Sequence, residues 1–139
     1  MDCIQANTDT IPVIFKRKHL WLDEEETQFY LGLDVLYDLL HIGALDVQLL
    51  KTFTLHMVQE AQRSQVSVAY LDPQSISTIT HERAFVISYL TKAFNCFHKA
   101  KKFIVFAYNT GGHWVLVLVC LRWAKVLYLD STSSTRERD

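Results

Sequence analysis

The sequence predicts an α+β fold in which N-terminal helices pack on an antiparallel three-stranded meander. Two stretches, 46–63 and 84–98, repeat apolar side chains every three or four positions, the spacing of one helix face. After them come apolar runs at 103–108, 114–121 and 125–130, rich in Val, Ile and aromatic residues and bounded by turn residues, which read as strands. Four Gly and two Pro in 139 residues imply tight connections and no long flexible linker. The length is that of one domain, enough to bury about two thirds of the unfolded surface. On this reading 1–23 is an N-terminal arm, 24–131 the folded domain and 132–139 a polar, loose tail.

Taken in order, residues 1–15 carry little pattern, and Lys16-Arg17-Lys18-His19 is a short basic cluster that reads as a solvated patch, with a nuclear localisation signal as the sharper alternative. Asp23-Glu24-Glu25-Glu26 precedes Phe29, Leu33, Leu36, Tyr37 and Leu40. Acidic residues favour the positive end of a helix dipole, so a helix over 24–40 is expected, ending near Gly43. Asp46 can cap the free amides of a second helix, whose inward face is Leu49, Leu50, Phe53, Met57, Val58 and Ala61. Val66 to Leu71 suggests a short edge strand stopped by Asp72-Pro73. A third helix, 84–97, turns Val86, Ile87, Leu90, Ala93, Phe94 and Phe97 inward, and Lys99, Lys101 and Lys102 follow where positive charge suits a helix end.

Between the first two runs of the meander, Gly111-Gly112 can take positive φ and close a hairpin, and Arg122-Trp123 offers a second turn. The middle run is apolar on both alternating faces and must be covered on both sides. If Arg122 and Trp123 form a two-residue loop, position 132 lies opposite His113, and Asp130 becomes a diagonal neighbour on the same face, ~7 to 8 Å away at the backbone. Their side chains can close that gap. A one-residue slip would send them to opposite faces.

Composition narrows the function classes. Half the residues are hydrophobic and 21% charged, which excludes a wholly disordered chain, and a net charge of −1 gives no footprint for nucleic acid. No apolar run approaches a membrane span, and MDCIQANTDT lacks the order of a signal peptide, so a soluble intracellular protein, nuclear or cytoplasmic, is expected, with no membrane partner. Cys3, Cys96 and Cys120 are an odd number without framework spacing and read as reduced thiols. Cys96 and His98 stand two apart on a helix and point away from each other, so neither metal nor cofactor is expected.

The string Gly112-His113-Trp114, an apolar strand, and then Tyr128-Leu129-Asp130-Ser131 resemble the His-Trp and Asp-Ser motifs of the cysteine proteases that process ubiquitin-like modifiers. Leu45-Asp46 and Leu71-Asp72-Pro73 are similar to features of a plant, transposon-associated variant of that family. The resemblance, over roughly residues 30–131, implies an incomplete papain-like, ubiquitin-like-protease fold. It also implies catalytic roles for His113 and Asp130, a substrate-binding role for Trp114 against the channel for the modifier's Gly-Gly tail, and a SUMO-like modifier or its conjugates as partner. A second channel tryptophan of the family corresponds to Ala44 here, leaving that wall incomplete.

The family's nucleophilic cysteine and oxyanion-hole glutamine follow the Asp-Ser motif, and the eight residues after Ser131 contain neither. Cys120 lies seven residues along the strand from His113, ~23 Å, and reads as core. Cys3 and Cys96 have no local partner that would lower a thiol pKa. Ser131 sits beside the carboxylate rather than at a strained elbow, which argues against a serine triad. The chain is therefore expected to be truncated before the nucleophile and inactive alone, with an inactive modifier-binding module or an inert transposon-derived fragment as the alternatives.

Overall fold

In the computed structural model of the chain, residues 10–20, 26–41, 43–101 and 103–132 are described. Cys3, the acidic run Asp23-Glu24-Glu25 and the tail beyond Thr132 lie outside them.

The first correction is N-terminal. Thr10–Lys16 (β1) pairs antiparallel with Glu26–Gly32 (β2) from Thr10↔Gly32 to Lys16↔Glu26, so the expected helix over 24–40 begins only at Leu33 and runs Leu33–Leu40 (α1). The reason is tertiary. Along β2 the period-two positions Phe29 and Leu31 face inward, where Phe29 meets Phe15 edge-on at 5.8 Å and Leu31 is buried. That burial outweighs the helical spacing that the same residues share with Leu33 and Leu36. Pro12 is accommodated because β1 has a free edge.

Val47–Arg63 (α2) starts where the sequence places it: Asp46 is extended, and its carboxylate accepts from Gln48 N at 2.7 Å. Its inward face differs, since Lys51, Leu55 and Val58 are buried while Phe53 is 60% exposed. Leu55 packs with Phe15 and Leu20 in a small cluster joined by Val13 and Phe29, so α2 covers the N-terminal hairpin as well as the sheet's edge.

The main sheet has four strands, the expected meander plus the short edge strand expected within Val66 to Leu71, in the order Val68–Tyr70 (β3), Phe103–Asn109 (β4), Trp114–Cys120 (β5) and Lys125–Leu129 (β6). β4, β5 and β6 form the antiparallel meander, and β3 joins parallel to β4. Arg83–Phe97 (α3) lies on one face, placing Val86, Tyr89, Ala93 and Phe97 over Ile104, Val115, Val117 and Val119. Ile87, expected inward, is 51% exposed, and Tyr89 takes the buried place instead.

The other face of β5 is covered unevenly: Cys120 is buried but Leu116 is 41% exposed, and all five residues of β6 are exposed. Among the described residues no helix is long and apolar enough to cross a membrane.

Candidate functional site

His113 reaches its position through the β4–β5 turn. Gly111 and Gly112 have φ of 100° and 96°, values that side chains disfavour, and Asn109 Oδ1 accepts from both their amides at 2.8 and 3.0 Å. Thr110 N donates to His113 O at 2.8 Å, closing the loop on the last residue before β5.

Asp130 arrives from the other side. The β5–β6 connection is a 3-10 turn at Leu121–Trp123 followed by left-handed Ala124, not a two-residue loop. The longer turn leaves the register unchanged, because Cys120 pairs with Lys125 and Leu116 with Leu129. Extrapolated three pairs beyond Leu116↔Leu129, that register sets His113 opposite position 132 and diagonal to Asp130 on one face. The contact is direct: His113 Nε2 and Asp130 Oδ1 are 2.7 Å apart, with side chains 35% and 27% exposed.

A carboxylate can only accept, so Nε2 carries the hydrogen and Nδ1 is the acceptor of the neutral ring. Thr132 completes the arrangement, donating to the same Oδ1 from its amide at 2.9 Å and its hydroxyl at 2.7 Å. Those two Thr132 bonds, the amide first, and then the His113 bond pull the Asp130 carboxyl down to about 2 from its usual 3.8. Asp130 is thus ionised and oriented at any physiological pH, able to fix the tautomer of His113 and to stabilise a proton taken up at Nδ1.

Trp114 is half-buried, and its indole Nε1 donates to Leu45 O at 3.0 Å, tying β5 to the segment just before α2. Beside it opens a cleft of about 350 Å³, lined by Asp34, Val35 and Asp38 of α1, by Ala44, Leu45 and Val47 around the start of α2, and by Ser77, Ile79 and Thr80 after β3. Ala44 lines this cleft, so the small residue leaves open space where a larger one would narrow it.

The structure thus brings His113, Asp130 and Trp114 to one end of the sheet. Cys120 it keeps apart, buried at the far end of β5, and Cys96 is exposed near the end of α3, before the start of β4. Thr132 was missed in the sequence because it reads as the first residue of a polar tail. The one available signal was its place two residues after an Asp, the spacing of an Asx turn. Among the described residues no group of three His, Cys, Asp or Glu could hold a metal ion.

The C-terminal catalytic domain of the Ulp1 protease family matches residues 40–138. A crystal structure of a de-sumoylating protease resembles the chain with a TM-score of 0.55 at 16% identity, over 90% of this chain and 51% of that one. At that identity the likeness is one of fold, and the chain spans about half the length of the solved protease. No curated protein matches the sequence. A family match over most of the chain, on a fold shared with a de-sumoylating protease, shows that this chain belongs to the Ulp1 protease family, within its C-terminal catalytic domain.

Proposed function

We propose that the chain supplies the histidine-aspartate part of a cysteine-peptidase site acting on a SUMO-like modifier or its conjugates, inside the cell, in the nucleus or cytoplasm. The observation that carries this reading is the 2.7 Å His113–Asp130 contact at one end of a sheet whose next residue, Trp114, borders an open cleft. In such a site Nδ1 of His113 takes the proton of an attacking thiol and later returns it to the leaving amine, while Asp130 holds the ring and offsets its charge. Trp114 lies against the modifier's tail in the cleft.

The thiol has to come from elsewhere than Cys96 or Cys120. Seven residues of strand separate Cys120 from His113, ~23 Å at about 3.3 Å per residue. This separation favours a second reading for the chain taken alone, a modifier-binding module without turnover. Loss of the nucleophile from a related triad costs on the order of 10⁶ in rate. The purified 139-residue chain is therefore expected not to cleave a modifier precursor and not to be labelled by modifier probes that trap thiols. It is expected to bind free modifier, more weakly as Trp114→Ala. Labelling that disappears in Cys120→Ser would overturn the strand-distance argument, and absence of any modifier binding would leave an inert fragment.

A further inference from the structure

We propose that the buried Lys51–Asp72 pair is a positioning device that sets the width of the cleft beside Trp114; it rests on the reading of that cleft as the tail site. Lys51 and Asp72 are 7% and 1% exposed, and Lys51 Nζ lies 3.5 Å from Asp72 Oδ2. Asp72 also accepts from Gln74 N at 3.1 Å and Ser75 Oγ at 2.6 Å, and Lys51 Nζ donates to Gln74 Oε1 at 3.3 Å. The pair therefore holds Gln74 by both main chain and side chain.

From Gln74 the restraint passes to the cleft. Thr80 Oγ1 donates to Gln74 O at 3.1 Å, and Ile79 N donates to Ser77 Oγ at 3.3 Å. Ser77, Ile79 and Thr80 line the cleft, as do Leu45, Asp46 and Val47 at the start of α2, and Lys51 stands one turn along that same helix. One ion pair thus joins the helix whose start lines the cleft to the loop that lines it too, while Trp114 is bonded to the segment before that helix through Leu45 O.

Stability alone does not require charges here, since apolar side chains of similar volume often replace a buried ion pair without loss. They would leave the Gln74 amide and the Ser75 hydroxyl without their acceptor and Gln74 free to turn. The test compares the parent chain with the double variant Lys51→Met/Asp72→Leu and with Lys51→Arg, which keeps charge and donors. Hydrogen exchange is followed by NMR at the Ile79 and His81 amides, which donate to Ser77 Oγ and O at 3.3 and 3.0 Å, and at the Trp114 indole, together with affinity for a synthetic peptide ending in a free Gly-Gly carboxylate.

In the double variant, exchange at Ile79 and His81 is expected to rise at least tenfold and peptide affinity to fall at least tenfold, with the chain still folded. Lys51→Arg is expected to stay near the parent in both. A folded double variant with parental exchange at Ile79 and His81 overturns the proposal. Should that variant not fold, Ser75→Ala serves instead, and unchanged exchange there overturns it equally. If the parent does not bind the peptide while exchange responds as expected, the tail-site reading fails and the positioning role stands.

Discussion

Lys51–Asp72 and His113–Asp130 are both pairs of a basic side chain and a carboxylate drawn from separate elements, yet they sit in opposite environments. Asp72 is enclosed, with Gln74 N donating to Oδ1 and Ser75 Oγ to Oδ2, and the Lys51 ammonium lies 5.3 Å from the ring centres of both Phe15 and Phe29. Beside it, Tyr89 OH donates to Leu20 O at 2.5 Å and accepts from Asp72 N at 2.9 Å, and burial raises its pKa well above the usual phenol range, so it stays a neutral donor. This node joins the residues after β1, α2, the loop after β3, and α3. Asp130 instead stands where solvent reaches it, its Oδ1 held by the Thr132 amide and hydroxyl and by His113 Nε2, which leaves Nδ1 of the ring available. A charge buried and paired can hold a fold but cannot turn over chemistry, whereas an exposed pair contributes little to stability and keeps one nitrogen for a substrate.

The comparison breaks first at Asp72. Asp72→Ala leaves Lys51 charged and unpaired in the interior, which is expected to cost about 3 to 5 kcal/mol in denaturant unfolding. Tyr89→Phe follows, at about 1 to 3 kcal/mol, because the Asp72 amide and Leu20 carbonyl lose their shared partner. A loss at Asp72 no larger than that of an ordinary surface substitution would mean that the node is wetter than its burial indicates.

Trp114→Phe keeps the ring and removes the donor to Leu45 O, and is expected to cost about 0.5 to 1.5 kcal/mol. Its larger consequence should be weaker modifier binding, measured by calorimetry.

The smallest effects on stability are expected at the exposed pair. His113→Ala should leave the thermal midpoint unchanged within error. The Asp130 carboxyl, followed by carbon-13 NMR, should titrate near 2 in the parent. Since its folded pKa lies below the unfolded value of 3.8, its contribution is present above pH 3.8 and is lost as pH falls through about 2. Thr132→Val and His113→Ala should each raise that midpoint, because each removes a side-chain donor to Oδ1. A midpoint unmoved by either substitution would leave the Thr132 amide as the bond that sets the carboxylate.

The parts of this protein legible from its residues are those whose causes lie within a few positions of one another. Asp46 with the apolar periodicity after it defines α2, and the Gly111-Gly112 turn with three apolar runs defines the β4–β6 meander. Those turns also make His113 and Asp130 neighbours, and the register survived a longer second loop because two more residues leaving the ladder moved both strands back equally. That 26–32 is a strand came from packing, since its partner β1 carries little pattern of its own and the spacing of the apolar residues in β2 suits a helix equally well. Packing also set β3 parallel to β4 through a crossover and buried Lys51 on a face whose periodicity names only apolar residues. The bond from Trp114 to Leu45 spans 69 residues of chain. Each of these depends on which distant surfaces meet, and local periodicity carries no record of that.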